Sequence, residues 1–245
     1  MKKSFFTVAG NRLLAENTYE MVLRGDSSAV KKPGQFVHIA LDGFYLRRPI
    51  SVCDWSEHSI TMIYKTVGKG TACMAGLEEG DRLEVLTGLG NGFDSKKSGN
   101  KPLLIGGGAG IPPLYALAKK LMQEQKQVFA ILGFNRVDEV FYAEEFTSLG
   151  ANVIITTVDG SVGRKGFVTD AMEIDMADYT YTYSCGPEPM LKAVYEKAVS
   201  DGQYSFEERM GCGFGACMGC ACQTKYGSKR ICREGPVLEK EEIVW

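Results

Sequence analysis

The chain has 245 residues, of which 44% are hydrophobic and 24% charged, values typical of a globular protein with a substantial buried core. Its 28 Lys and Arg nearly balance its 30 Asp and Glu, so it offers no broad basic surface and we expect no nucleic acid partner. No long apolar run occurs, and the apolar start is broken at Gly10, Asn11 and Arg12. We therefore predict a cytoplasmic protein without a signal peptide or a membrane span.

Residues 1–94 have the pattern of a small antiparallel β-barrel or sandwich. Short runs of strand-forming residues alternate with Gly, Asp, Asn and Pro, and no comparable helical stretch is apparent. The predicted strands cover residues 5–8, 19–23, 35–41, 50–53, 59–65 and 82–86. This spacing predicts one β-domain that ends near residue 94.

The polar segment 94–101 predicts an exposed linker, and the pattern changes after it. Predicted strands at 102–105, 128–134, 153–158 and 179–184 alternate with predicted helices at 113–125, 139–149, 168–172 and 188–200. That alternation predicts a Rossmann-like, doubly wound parallel sheet over residues 101–203. Residues 204–245 sustain neither period and are rich in Cys and Gly, which predicts a small module stabilised by a metal centre.

Five of the eight cysteines fall between residues 212 and 232. Cys212, Cys217, Cys220 and Cys232 have the spacing C-x4-C-x2-C-x11-C, whose first three positions match the ferredoxin-type spacing for a [2Fe-2S] cluster. The alternative is a four-cysteine zinc site, which usually pairs its ligands as two C-x2-C knuckles, whereas only one is present. We predict a [2Fe-2S] cluster on these four residues, with Cys222 left unligated.

A glycine-rich turn at residues 106–113 follows a predicted strand and opens a predicted helix, where a pyrophosphate can meet free N–H groups. Prolines stand where the dinucleotide fingerprint has its third glycine. Taken alone, the turn fits either a nucleotide site or tight packing of helix on strand. Gly107, Gly108 and Gly110 are the candidate contacts.

A second turn, Cys185-Gly186-Pro187, ends a later predicted strand. Together the two turns resemble the nucleotide domain of the ferredoxin-NADP reductase superfamily. The resemblance implies that they bracket the nicotinamide, that Gly186 contacts the nucleotide, and that Cys185, the catalytic candidate, positions the ring that exchanges hydride. Arg136, after the second strand, either faces a 2′-phosphate or is solvated.

The barrel-like region contains a candidate flavin motif, Arg47-Arg48-Pro49-Ile50-Ser51. Arg48 can neutralise a pyrophosphate, and Ser51 can offer a hydroxyl to the flavin, with Pro49 restricting the backbone between them. The motif resembles the R-x-Y-S flavin motif of the same superfamily, with Ile50 at the aromatic position. The absence of a tyrosine removes the ring that would stack on the isoalloxazine.

A second segment, Gly-Lys-Gly-Thr at residues 68–71, offers N–H groups, a cation and a hydroxyl, a set suited to phosphate. As a single motif it is more often an ordinary turn. In combination with the Arg-Arg-Pro-Ile-Ser motif, we assign Gly70 and Thr71 to FAD. Ile63, Tyr64 and Lys65 on the preceding predicted strand are assigned to the same cofactor.

The order of barrel, nucleotide domain and cysteine module, with the motifs above and the tail Cys-Arg-Glu-Gly-Pro-Val at 232–237, resembles the electron-transfer subunits of dihydroorotate dehydrogenase B over essentially the full chain. The resemblance implies one FAD, one [2Fe-2S] cluster and NADH or NAD+ as the nucleotide. It also implies an FMN-containing catalytic subunit that oxidises dihydroorotate to orotate in pyrimidine synthesis. The expected assembly is a heterotetramer with two copies of each subunit.

Two other functions fit parts of the sequence. A reductase of the same superfamily can deliver electrons to another acceptor, such as ferredoxin or sulfite reductase, since fold-level likeness does not fix the partner. A non-enzymatic metal-binding or redox-sensing module would be colourless, or coloured without bleaching by NADH. No acid, base or nucleophile motif for carbon chemistry is evident, so we expect an oxidoreductase subunit that acts with a catalytic partner.

Overall fold

The computed structural model describes residues 1–175 and 178–245, and its N-terminal part is a closed antiparallel barrel of six strands in the order β1-β2-β5-β4-β3-β6. The strands are β1 (Lys2–Ala15), β2 (Thr18–Arg24), β3 (Phe36–Ile39), β4 (Arg48–Trp55), β5 (Ser59–Lys65) and β6 (Arg82–Leu89). Alternate side chains face the interior. Val37 and Ile39 of β3 are therefore in the barrel core, while Phe36 contacts a second core outside it.

The barrel is interrupted by one α-helix, α1 (Lys69–Ala75), between β5 and β6. The expectation that this region contains no helix was therefore wrong. The Thr71 hydroxyl accepts the N–H groups of Val67 and Gly68 at 3.0 and 3.2 Å, which closes the first turn. Met74 then packs into the barrel core, so tertiary burial stabilises a helix too short to form alone.

The second part of the chain forms a seven-stranded sheet in the order β10-β9-β8-β7-β11-β12-β15. Its neighbouring strands are parallel except for the antiparallel pair β12 and β15. These strands and the two strands of a separate hairpin are β7 (Pro102–Gly107), β8 (Phe129–Phe134), β9 (Asn152–Thr157), β10 (Arg164–Lys165), β11 (Tyr181–Cys185), β12 (Gly202–Ser205), β13 (Ala221–Thr224), β14 (Gly227–Arg230) and β15 (Val237–Glu239). The predicted doubly wound sheet is confirmed.

Helices cover both faces of this sheet. They are α2 (Ile111–Gln123), α3 (Ala143–Ser148), α4 (Val168–Asp175) and α5 (Glu188–Lys197). Leu114 and Phe146 fill the core on one face, and Ala171 and Leu191 contribute to the core on the other. The helix expected at 139–149 begins only at residue 143, because Tyr142 has a φ of 63°. Within the described ranges, no helix is long and apolar enough to cross a membrane.

The connections between the predicted domains are more tightly packed than the sequence suggested. Ser95 and Ser98 of the predicted exposed linker are buried, because Ser95 Oγ donates to Glu124 at 2.8 Å and a 3-10 turn folds the segment inward. The predicted boundary between residues 203 and 204 falls inside β12. Strand β15 comes from the cysteine-rich tail and pairs with β12, so the tail and the sheet share backbone hydrogen bonds.

Candidate functional site

Strand β4 carries the predicted flavin motif in the barrel wall. Arg48, Pro49, Ile50 and Ser51 are all partly exposed. Ile50 packs against the barrel core, so the position that is aromatic in the superfamily motif is used here for aliphatic packing. The backbone of the motif pairs with β3 along its whole length, whereas the pairing of β4 with β5 begins only at Val52, directly after the motif.

The Arg48 guanidinium lies directly across Gly70 at the start of α1. It is 4.9 Å from the centre of the Phe44 ring, and it donates to the Leu46 carbonyl at 2.5 Å. A Cβ on Gly70 would overlap Arg48 Nε and lie 2.6 Å from Arg48 Cζ. Only glycine permits this approach, which brings the two predicted flavin segments together.

The charge on Arg48 is available to an anion. Its neighbour Arg47 pairs with Glu84, whereas among the side chains of residues 1–172 and 178–245 no carboxylate forms an ion pair with Arg48. A guanidinium held in place by an aromatic ring and a carbonyl suits a pyrophosphate oxygen. The residues present therefore fit the phosphate part of a flavin dinucleotide.

Strand β5 forms one wall of a cleft between the barrel and the sheet. Ile63, Tyr64 and Lys65 line it on the barrel side, and Gly108 lines it on the other. Lys65 pairs across the cleft with Glu139 at 3.4 Å. The Tyr64 hydroxyl donates a hydrogen bond to a side-chain amide oxygen 2.9 Å away. This hydroxyl therefore already has a hydrogen-bond partner within the protein. The predicted flavin strand and the glycine-rich turn thus face each other.

The two predicted nucleotide turns meet at the carboxyl ends of the adjacent strands β7 and β11. A Cβ on Gly110 would overlap the Cys185 carbonyl oxygen and lie 2.5 Å from Gly186 N. The Gly110 position therefore allows the backbone of one turn to touch the other. The carboxyl ends of parallel strands are where nucleotides bind in such sheets.

The Cys185 side chain is buried beneath these turns. Burial, with a smaller contribution from the Glu207 carboxylate, raises the pKa of Cys185 to about 12. The thiol is therefore neutral at physiological pH. It suits a packing or positioning role, whereas a nucleophile needs a thiolate.

Arg136 follows β8 and is held by two carboxylates. It pairs with Glu16 of the barrel, and its Nε lies 2.8 Å from Asp138 Oδ1. The Arg136 side chain is about half exposed, so both ion pairs lie at the surface of the protein.

The four predicted cluster cysteines form two contacting pairs, Cys212 with Cys217 and Cys220 with Cys232. The Cys217 N–H donates to Cys212 Sγ at 3.4 Å, and the Cys232 N–H donates to Cys220 Sγ at 3.4 Å. In the described part of the chain, no three His, Cys, Asp or Glu side chains converge on a single metal-ion position. Two pairs of thiols fit a cluster of two irons in which each iron takes two protein ligands.

The loop around Cys212 favours a thiolate. Burial alone would raise the pKa of Cys212, but hydrogen bonds from the backbone of Cys217, Phe214 and Ala216 outweigh it and lower the pKa to about 6. Cys220 and Cys232 are buried, whereas Cys217 is exposed. N–H groups directed at sulfur are the environment that an anionic cluster requires.

Arg230 fastens this loop to the end of the chain. Its Nη1 donates to the Gly215 carbonyl at 2.6 Å, and its Nε donates to Glu234 Oε2 at 2.9 Å. Asn91, which follows strand β6 of the barrel, donates its side-chain N–H to the Glu234 carbonyl oxygen at 2.9 Å. The cluster loop is therefore anchored both to its own tail and to the barrel.

Sequence reasoning assigned no role to His38 of β3, which the structure places against the cluster loop. It is fully buried, and neither ring nitrogen has a hydrogen-bond partner among the described residues. Burial, with the positive charge of Arg47, lowers its pKa to about 4. A Cβ on Gly213 would overlap His38 Nδ1 and lie 2.7 Å from His38 Cε1. Nothing in the local sequence indicates this contact.

This arrangement defines an oxidoreductase with a nucleotide site, a flavin-type barrel and an iron–sulfur loop. Two family models match the chain: "Oxidoreductase NAD-binding domain" over residues 104–196, and "Iron-sulfur cluster binding domain of dihydroorotate dehydrogenase B" over residues 207–244. The second match favours an iron–sulfur cluster over zinc at the four cysteines. Both matches agree with the predicted order of sites.

Similar proteins extend over the whole chain. The "Dihydroorotate dehydrogenase B (NAD(+)), electron transfer subunit" of Bacillus caldolyticus is 44% identical, covering 97% of each chain. The subunit of the same name from Bacillus pumilus is 42% identical, covering 99% of this chain and 98% of that one. The chain belongs to the family of dihydroorotate dehydrogenase B electron transfer subunits.

A solved structure supports the same fold. A chain of the NADH-dependent reduced ferredoxin-NADP oxidoreductase, described for flavin-based electron bifurcation, matches with a TM-score of 0.89 and 30% identity, covering 99% of this chain and 90% of that one. Together the comparisons support FAD, an iron–sulfur cluster and NAD as the cofactors of an NAD-linked oxidoreductase subunit. The resemblance noted in the sequence is confirmed.

Proposed function

We propose that this chain transfers electrons between NAD+ and an FMN-containing catalytic subunit that oxidises dihydroorotate to orotate, in a heterotetramer with two copies of each subunit. The proposal rests on family membership and on the arrangement of the three sites. The catalytic subunit, its FMN and the stoichiometry are those implied by the family resemblance. The direction in pyrimidine synthesis is from dihydroorotate to NAD+.

The observation that carries the proposal is the order of strands β5, β4 and β3 in the barrel wall. The β5 side faces the glycine-rich turn, β4 carries the Arg48 motif, and β3 carries His38 against the cluster loop. The flavin-type segment therefore lies between the nucleotide turn and the cysteines. A chain that links a nucleotide to a one-electron centre needs this order.

Within this arrangement, Arg48 would hold the FAD pyrophosphate over Gly70, and Ser51 would face the flavin. Gly107, Gly108, Gly110 and Gly186 would let the nucleotide approach the backbone at the meeting point of the two turns. Cys185 would limit where the nicotinamide can lie, because it is a neutral, buried thiol. Ile63, Tyr64 and Lys65 would close the cleft, and Thr71 would keep the start of α1 in place.

Cys212, Cys217, Cys220 and Cys232 would hold the [2Fe-2S] cluster. When bound, flavin exchanges electron pairs with the nicotinamide and single electrons with an iron–sulfur centre. The chain itself supplies placement. The exposed Cys217 would lie on the surface at which a partner can accept or deliver an electron.

The paired carboxylates on Arg136 support NADH over NADPH as the nucleotide. An adenosine 2′-phosphate needs a free cation after the second strand of the sheet. Glu16 and Asp138 already neutralise Arg136. A 2′-phosphate placed there would also meet two negative charges.

The first test combines the FAD-loaded chain, purified without oxygen, with the FMN-containing dihydroorotate dehydrogenase subunit from the same source. We expect dihydroorotate-dependent reduction of NAD+ that requires both proteins. A stable complex of two copies of each subunit should be measured by light scattering. No coupled activity, with flavin and cluster intact and reducible by NADH, would contradict the assigned partner while leaving the reductase chemistry in place.

The second test removes one cysteine. Cys217→Ala should lose the cluster and partner-linked turnover but retain FAD and the NADH-dependent reduction of two-electron dyes. Cys222→Ala is the matched control, because Cys222 lies outside both thiol pairs and should be dispensable. Full partner activity in the Cys217 variant would contradict the proposed electron path.

A second candidate function is delivery of electrons to another acceptor, such as ferredoxin. The structural match to the NADH-dependent reduced ferredoxin-NADP oxidoreductase favours it as the alternative. The same preparation should then reduce ferredoxin with NADH and show no dihydroorotate-dependent activity. The higher identity to the dihydroorotate dehydrogenase B subunits supports the first proposal.

A further inference from the structure

His38 is the clearest buried polar group that the proposed electron path has not used. Its side chain has 0% exposure, and both ring nitrogens lack a partner among the described residues. An imidazole carries a donor and an acceptor when neutral. Burying the donor and the acceptor of an imidazole without hydrogen-bond partners is unfavourable. We therefore expect a bound group to supply a partner for the His38 ring.

The surroundings of His38 indicate where that ligand lies. Strand β3 places its side chain outside the barrel, on the same side as Phe36, whose ring is 6.5 Å away edge-on. Phe36 shares a core with Cys220 and Cys232. Gly213, next to the predicted ligand Cys212, has a φ of 77° and leaves space only for the His38 ring beside its Cα.

The backbone of Cys212 is the polar protein group that lies nearest this imidazole, but within the described residues it forms no hydrogen bond of normal geometry with either ring nitrogen. The neighbouring cations Arg47 and Arg48 are donors only and cannot accept its N–H. Pro49, opposite His38 in the β3–β4 register, has no N–H to offer the other nitrogen. Sulfur at the cysteine loop is the acceptor whose chemistry fits, because cluster sulfurs accept hydrogen bonds.

We propose that His38 is a positioning residue that donates a ring N–H to a sulfur atom on the Cys212 side of the iron–sulfur centre. The bond connects the flavin-bearing wall of the barrel to the cluster and favours the reduced cluster, because a donor stabilises added negative charge on sulfur. This inference rests on the proposed cluster. It adds a residue that neither the sequence pattern nor the cysteine ligands indicate.

The chain offers a direct spectroscopic test, because its only two histidines are His38 and His58. His58 is exposed and lies in the turn between β4 and β5. The holoprotein is prepared with 14N-histidine and with 15N-histidine and reduced, and pulsed electron paramagnetic resonance measures nitrogen couplings to the cluster. We expect one coupling that changes with the histidine label and persists in His58→Gln.

A redox titration provides the second measurement. His38→Leu should shift the equilibrium for cluster reduction about tenfold toward the oxidised form, equivalent to about 59 mV for a one-electron couple. His38→Gln keeps an N–H donor and should recover part of the shift. A role in packing alone would change thermal stability without changing the potential.

Failure of this inference is distinguishable from failure of the proposed function. A normal [2Fe-2S] spectrum without a histidine-dependent coupling, or with an unchanged potential in His38→Leu, would overturn the hydrogen bond and leave electron transfer standing. Absence of any [2Fe-2S] signal in the native holoprotein would overturn both. Because the comparison of 14N-histidine with 15N-histidine uses the native chain, the coupling itself is measured without any substitution at His38.

Discussion

The contact between Arg48 and Gly70 makes FAD binding sensitive to one methyl group. In Gly70→Ala, the new Cβ would overlap Arg48 Nε and lie 2.6 Å from Cζ, so the guanidinium must leave its position across α1. A hydrogen bond to a charged group contributes about 1.5–3 kcal/mol. Since each 1.4 kcal/mol is about tenfold in affinity, loss of the Arg48 contact should raise the Kd for FAD about 10- to 100-fold.

Gly68→Ala is the matched control. It lies two residues earlier, has an extended φ of −173°, and a Cβ there meets nothing within 4 Å. Titration of the flavin-free chain with FAD, followed by the quenching of flavin fluorescence, gives both Kd values, and thermal unfolding checks the fold. Alanine at position 70 should not weaken the helix itself, because alanine is the better helix former by about 0.5–1 kcal/mol. Equal FAD affinity in both variants would refute the role of Arg48.

Three further predictions concern the other sites. Gly110→Ala forces the two nucleotide turns apart and should lower NADH-dependent dye reduction about 100-fold with FAD retained, measured by steady-state kinetics; an unchanged rate would show that the turns do not bind the nicotinamide. Glu16→Gln removes one of the two carboxylates that pair with Arg136 and should improve kcat/KM for NADPH relative to NADH severalfold. An unchanged ratio would show that the 2′-phosphate of NADPH does not bind near Arg136. Gly213→Ala should lower the iron content of the purified protein, whereas the control Gly43→Ala should retain it. Both glycines have φ near 80°, but of the two only Gly213 lacks space for a methyl group. Equal iron content in the two variants would contradict the contact between Gly213 and His38.

Local chemistry explains which features could be predicted from the sequence. The cysteine spacing indicated the cluster because ligand geometry limits how far apart the thiols can lie in a short segment. Strand β5, predicted at 59–65, is observed as Ser59–Lys65. The two nucleotide turns were recognisable since glycine and proline each restrict the backbone in a way that leaves a pattern.

Contacts between distant segments were not predictable in this way. Helix α1 depends on Met74 entering the barrel core, and its own sequence is too short to indicate a helix. The contact of His38 with Gly213 joins β3 to the cysteine loop, and neither segment alone specifies the other. Strand β15 adds to the sheet only because β12 presents an open edge to the tail.

The barrel has a role beyond holding a flavin, since its wall sets the spacing between the other two sites. Neighbouring strands are about 4.8 Å apart, so β3 and β5 are separated by about 10 Å with β4 between them. The hydrogen-bond register of these strands fixes that separation, whereas the cluster loop and the glycine-rich turn are each attached to one side of it. A substitution that loosens the attachment of the cluster loop at His38 should therefore slow electron transfer while leaving each cofactor bound. Electron transfer in this chain then depends on contacts with the barrel as much as on the groups that ligate the cofactors.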